Sequence, residues 1–142
     1  MFTQITEFSG NHPLLVVAFI ALLAAVFFNE FRNASQKFAS LTPAGAIQVI
    51  NNEEVTLLDV REPAETANGK IAKAVQIPGS SIQQRIGELD KFKDNNVIVY
   101  CKTGARAGPA CRALSKAGFD KFFSLNGGIT AWQDAHLPVS RK

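Results

Sequence analysis

The feature that most constrains this chain is the run Leu14–Phe28, fifteen residues without one polar side chain. As a helix it covers about 22 Å, short of the roughly 30 Å of a hydrocarbon core. Asn11 as N-cap and Pro13 in the first turn extend the expected helix through Phe31, to about 28 Å, with Asn29 and Glu30 at the lipid boundary. The spacing therefore predicts one transmembrane helix over about 13–31. A cleaved signal peptide fits less well: no Lys or Arg precedes the run, Glu7 stands there instead, and no small-x-small cleavage site follows Phe28. A buried core helix fits least, because the run has no polar face.

Seven of the eleven Phe fall in the first 38 residues, whose only charges are Glu7, Glu30, Arg32 and Lys37. From Ala39 onward there are 13 Lys/Arg against 10 Asp/Glu, so two regimes are joined in one chain. Both early bases follow the span, which favours an outside N-terminus and a cytoplasmic C-terminal part. Ala21 and Ala25 form a small-x-x-x-small pair able to pack on a membrane-protein partner, although such spacing arises readily by chance in an Ala-rich span. Residues 32–40 read as a linker of at most about 30 Å, and 41–142 as one small domain. The net charge of +3 is spread out, with no basic run or interleaved aromatic series, which argues against nucleic-acid binding. The sequon Asn33-Ala34-Ser35 is too short a pattern to carry weight.

Within the domain, Thr42-Pro43 opens an expected helix to about Asn51. Strands are predicted at 55–60, 74–77, 97–100 and 122–125. Between them come a helix bearing Ile82, Ile86 and Leu89, opened by a Ser81/Gln84 capping box, and a second from about Gly108 to Ala117, closed by Gly118. A short helix bearing Ile129 and Trp132 follows Gly127-Gly128. Short, continuously apolar strands separated by helices indicate an α/β fold with a parallel sheet covered on both faces.

Ligands of open parallel sheets bind beyond the carboxyl ends of the strands. Cys101 stands at the end of the third predicted strand, and Asp59 with Arg61 closes the first. The segment Cys101-Lys102-Thr103-Gly104-Ala105-Arg106 then enters a helix, so backbone amides and the positive helix end converge on one point. An anion fits there, and the bases, amides and helix terminus are all expected to hold the thiol below its ordinary value of about 8.5. Free cysteine is more often a small core residue, but Lys102, Thr103, Gly104 and Arg106 are poor choices for burial. Cys111, three residues before Leu114 on an apolar face, reads as core. The two His and two Cys are too scattered for a zinc site, and Lys102-Thr103-Gly104 lacks the order of a phosphate-binding P-loop. No metal or cofactor is implied.

Several blocks together resemble a single-domain rhodanese: Leu57–Glu62, Gly69–Ile71, Ala74–Pro78, Val97–Arg106, Lys116–Phe119, Leu125–Trp132 and Leu137-Pro138. The likeness covers Leu41–Arg141, and with the leader the chain resembles the small membrane-anchored rhodanese-like proteins of bacteria. The resemblance implies a five-stranded parallel sheet flanked by helices and a sulfurtransferase. Cys101 would take a sulfane sulfur from thiosulfate or another small anionic donor as a persulfide and pass it to a thiol or cyanide. It also implies Arg106 as the cation closing the loop, amides from Lys102 through Thr103, Gly104 and Ala105 to Arg106 as the cradle, and Asp59 and Arg61 as its brace. The family often has His at Lys70, Ser at Ala107 and a second Arg at Ala105. Without that arginine, Lys102 is the main additional side-chain cation. Two other functions compete. A cysteine phosphatase or arsenate reductase has five residues between Cys and Arg where this chain has four, giving a ring too small for phosphate. A membrane-tethered docking module would keep the fold and carry incidental activity.

Overall fold

The computed structural model describes residues 8–34 and 38–141, with the side chains of Glu30, Arg32, Asn33 and Ala34 outside that description. Glu7, Ser35 and Lys37, and with them the charge asymmetry and the sequon, also lie outside the described residues. The chain divides into two compact units, 1–37 and 38–142.

In the first unit a helical turn at 8–11 precedes the 22-residue helix α1 (Pro13–Ala34). The carbonyl of His12 accepts the opening bonds from Leu15 and Val16, so the cap is not the expected Asn11, which lies in the preceding turn. Every exposed large apolar side chain among the described residues belongs to this unit, from Phe8 to Phe31. The described side chains of α1 form an unbroken stretch only from Pro13 to Asn29. Among the described residues, no helix is long and apolar enough to cross a membrane. The expected helix is present, and it runs on past Phe31 to Ala34.

The second unit contains β1 (Ala39–Leu41), α2 (Pro43–Asn52), β2 (Val55–Asp59), α3 (Pro63–Thr66), β3 (Val75–Gln76), α4 (Ile82–Arg85), a 3-10 helix (Ile86–Phe92), β4 (Asn96–Tyr100), α5 (Ala107–Lys116), β5 (Phe122–Leu125) and α6 (Gly128–Asp134). The five strands form one sheet in the order β1-β5-β4-β2-β3, every pair parallel. An α/β domain with a five-stranded parallel sheet is thus observed. Alternation along β4 sends Val97 and Val99 to one face and Ile98 and Tyr100 to the other, each into its own apolar cluster. Helices cover both faces, and β4 is buried along its whole length.

Local signals explain most element ends. The Thr42 hydroxyl accepts the N–H of Gly45 at 3.1 Å, capping α2 behind Pro43. At the end of α5, Gly118 adopts φ +90° and donates to Ser115 O at 3.2 Å, while Phe119 donates to Leu114 O at 3.1 Å, the paired bonds of a Schellman motif. Two expectations need correction. Ser81 starts α4 without any side-chain cap, and after one α-turn the helix tightens to 3-10 geometry, so Ile82 and Leu89 are buried while Ile86 is only half-buried. The segment expected to be linker up to residue 40 already pairs in the sheet, Ala39 opposite Phe123, and Phe38 packs against Phe122 at 6.2 Å between ring centroids.

Candidate active site

β4 lies at the middle of the sheet, so its end is flanked by β2 and β5. Cys101, the first residue beyond β4, continues the alternation and places its side chain on the face of Val97 and Val99, 1% exposed. Burial alone does not separate it from Cys111, which is fully buried in the same cluster. Hydrogen bonding does. The Gly104 N–H donates to Cys101 Sγ at 3.0 Å, closing the loop over the sulfur. Cys111 receives no such donor among the described residues, and burial pushes its thiol up to about 12.

The N-terminus of α6 sets the loop. Ile129 N–H donates to Cys101 O at 2.9 Å and Thr130 N–H to Lys102 O at 3.1 Å, so these carbonyls are drawn to one side. Gly128 sits directly against them at φ +60°, where a β-carbon would fall 2.6 Å from Lys102 O. Only glycine permits that approach. With the carbonyls occupied, the N–H groups of Lys102, Thr103, Ala105 and Arg106 donate to no acceptor of the chain among the described residues. Successive unpaired amides around a sulfur form an anion-binding concavity.

Arg106 is the residue before α5, and its guanidinium makes a bidentate pair with Glu65, Nη1 to Oε2 and Nη2 to Oε1, both 2.7 Å. The Glu65 carboxylate also accepts the Glu62 N–H at 3.0 Å. These bonds, that of Arg106 foremost, hold its acidity at about 2, well below the usual carboxylate range. The hydrogen bonds and charge of Glu65 in turn raise Arg106, and the charge of Cys101 acts on it in the same sense.

Asp59 and Arg61 form a second, buried pair. The Arg61 backbone N–H and Nε both reach Asp59 Oδ1 at 3.0 Å, and Nη2 reaches Oδ2 at 2.7 Å. Burial works against the Arg61 charge, and Asp59 more than offsets it, so the net shift is upward. The guanidinium also lies 5.8 Å from the Tyr100 ring, while the Tyr100 hydroxyl accepts the Ile71 N–H at 3.1 Å. The expected bracing of the cysteine loop is indirect. Among the described residues neither Asp59 nor Arg61 bonds to 101–106. Arg61 instead donates to Gly69 O at 2.8 Å and Glu65 O at 3.3 Å, fixing the segment whose Glu65 holds Arg106.

The sequence reading missed Glu65 and the α6 amides. Glu65 had a local signal: it is the third residue of a helix opened by Pro63, three beyond the capping Glu62. Beside the loop lies a cleft of about 200 Å³ lined by Lys102, Glu65, Asn68, Thr130 and Gln133 among others. Among the described residues no cluster of His, Cys, Asp or Glu has the arrangement of a metal site.

A parallel α/β domain whose central strand ends in a thiol under unpaired amides defines a class, the cysteine-centred anion-binding domains. Residues 42–135 match the model of the rhodanese-like domain. An uncharacterized protein of Escherichia coli K12, YibN, is 36% identical over 139 residues, 97% of each chain. A protein named sulfurtransferase from Allochromatium vinosum is 40% identical over 92 residues, 65% of this chain and 84% of the relative. A rhodanese-related protein from Thermoplasma volcanium superposes with TM-score 0.67 at 31% identity, covering 74% of this chain and 100% of the other. The chain belongs to the rhodanese-like family, and its relatives include proteins named as sulfurtransferases.

Proposed function

We propose that this protein is a sulfurtransferase that carries sulfane sulfur as a persulfide on Cys101. The thiolate attacks the outer sulfur of thiosulfate or a related donor. A bond forms from Sγ to that sulfur, the donor's S–S bond breaks, and sulfite or the equivalent leaving group departs with the electron pair. A thiol or cyanide acceptor then attacks the outer sulfur, and Cys101 leaves as thiolate. No redox partner or cofactor is needed. Preorganised N–H groups favour negative charge on the attacking sulfur and on the leaving oxyanion without reorganisation. The observation that carries this reading is the contact of Gly104 N–H with Sγ beside four amides that meet no acceptor of the chain among the described residues.

Intact-mass measurement after thiosulfate treatment tests it. One sulfur atom, about 32 Da, should appear on Cys101 and be removed by cyanide or dithiothreitol. Cys101→Ser should abolish the gain and Cys111→Ser should retain it; a label confined to Cys111 would refute the assignment.

The same reading places the chain in a bacterial inner membrane by a single pass of α1, with the domain in the cytoplasm. Support comes from the exposed apolar surface of α1. The bases Arg32 and Lys37 set the orientation, and cytoplasmic thiols would keep Cys101 reduced. Digestion of the domain by protease added outside sealed right-side-out cells would refute that topology.

A further inference from the structure

Arg106 ends the cysteine loop, and a side chain that long, 41% exposed, does not hold one orientation by itself. Glu65 supplies the orientation. Its two oxygens take one N–H from Nη1 and one from Nη2, each at 2.7 Å, gripping the guanidinium end-on. Nε–H and one N–H on each terminal nitrogen are left, three of the five donors, and among the described residues they meet no acceptor. Nε–H and the N–H beside it form a second, side-on fork, so an oxyanion can be held there while the carboxylate stays in place. The Cys101 charge acts on this guanidinium, which puts it within electrostatic range of the thiol.

Glu65 is itself held. Its Oε2 also accepts the Glu62 N–H at 3.0 Å, and its carbonyl accepts Arg61 Nη1 at 3.3 Å. Arg61 is tied in turn to Asp59 at the end of β2, through Nε and Nη2. A chain of bonds thus runs from the sheet through Asp59, Arg61 and Glu65 to the guanidinium. Among the described residues, Glu65 is the only group bonded to that guanidinium.

On the sulfurtransferase reading above, the donor's S–S bond breaks and its electron pair goes to the leaving oxyanion. A cation already aimed at that charge stabilises it without reorganising, whereas a free arginine must first be ordered. We infer that Glu65 is a positioning residue for sulfur transfer: its carboxylate fixes the Arg106 guanidinium end-on and leaves the side-on fork for the departing oxyanion. Glu65 acts through Arg106 and touches neither the thiol nor the donor.

The test is single-turnover persulfide formation in the full chain in detergent, followed by intact mass over a range of thiosulfate concentrations. Glu65→Gln should lower the maximum rate about tenfold, the order set by the rotamer freedom that Arg106 regains. The half-saturating thiosulfate concentration should change by less than about threefold, because the orientation matters most as the leaving group gains its charge. A loss confined to half-saturation would make Glu65 a binding group and overturn the inference. Arg106→Gln removes the cation itself and should slow the reaction about 100-fold or more. Adding Glu65→Gln to that variant should slow it less than about twofold further. A merely structural Glu65 would slow both backgrounds equally, and that equality, or an unslowed Glu65→Gln, would overturn the inference. If Glu65→Gln does not fold, Glu65→Asp decides. It keeps the charge but withdraws the carboxylate by one methylene, so the maximum rate should again fall, and a rate equal to that of the unsubstituted protein would refute the positioning role. Absence of any Cys101 persulfide in the unsubstituted protein would instead overturn the sulfurtransferase reading itself.

Discussion

Replacing Gly128 with alanine would put a methyl group into the backbone that carries the thiol. The new β-carbon would lie 2.6 Å from Lys102 O and 2.7 Å from Lys102 C, and closer still to Cys101 O. Ordinary contact begins near 3.4 Å, so the loop and helix must separate by roughly 1 Å. That lengthens the 2.9 Å and 3.1 Å bonds from Ile129 and Thr130 past useful range. Two lost backbone bonds cost about 1–3 kcal/mol together, and alanine at positive φ about 1–2 kcal/mol more. The sum is about 2–5 kcal/mol. Gly118 is the control: it has φ +90° with nothing within 4 Å of a built β-carbon, so Gly118→Ala carries only the conformational part. At about 4–8 °C per kcal/mol for a domain of this size, Gly118→Ala should lower the melting midpoint by roughly 5–15 °C and Gly128→Ala by roughly 10–40 °C. Circular dichroism of the full chain reads the midpoints. Persulfide formation, timed by mass well below both midpoints, should be unchanged in Gly118→Ala and about 100-fold slower in Gly128→Ala, the order expected for a 1 Å misplacement. Equal midpoints in the two variants, or an unslowed Gly128→Ala, would refute the claim that α6 shapes the loop.

Two other outcomes follow from the ion pairs. Asp59→Asn leaves the Arg61 charge buried without its partner, so urea unfolding should show a loss of about 3–5 kcal/mol. For Glu65 the folded acidity is held at about 2 against an ordinary 4.5. A depressed carboxylate contributes stability fully above the higher value and loses it as pH falls through the lower. Acid melts should therefore show the gap between the unsubstituted protein and Glu65→Gln closing between about pH 4.5 and pH 2, and salt should shrink that gap at neutral pH because the pair is partly exposed.

Long apolar runs and strong end signals made much of this fold readable from residues alone. β2, β4 and β5 are buried, continuous and bounded by turn residues, and Thr42-Pro43 and Gly118 act where their chemistry says they should. β1 was not readable. Ala39-Ser40-Leu41 has no periodicity and no β-branched residue, and it is a strand only because β5 supplies its partner. The capping box at Ser81 failed because the segment continues as a 3-10 helix, a choice made by packing of Ile82 and Leu89 under α5. Cys101 and its loop were legible because thiol and amides are consecutive in sequence. Glu65 was not placed beside Arg106 because the two are separated by 41 residues, and only the alignment of β2 with β4 brings their loops together.

The bonds from α6 to the cysteine loop also have a consequence for biosynthesis. On the ribosome, β4 and its thiol emerge well before Ile129 and Thr130, and until those amides arrive nothing holds the carbonyls of Cys101 and Lys102 aside. A nascent or prematurely terminated chain thus carries the thiol without its organised surroundings. On the proposed sulfurtransferase reading, competence toward sulfur donors is therefore conferred late, only once α6 has left the exit tunnel and its amides reach the loop.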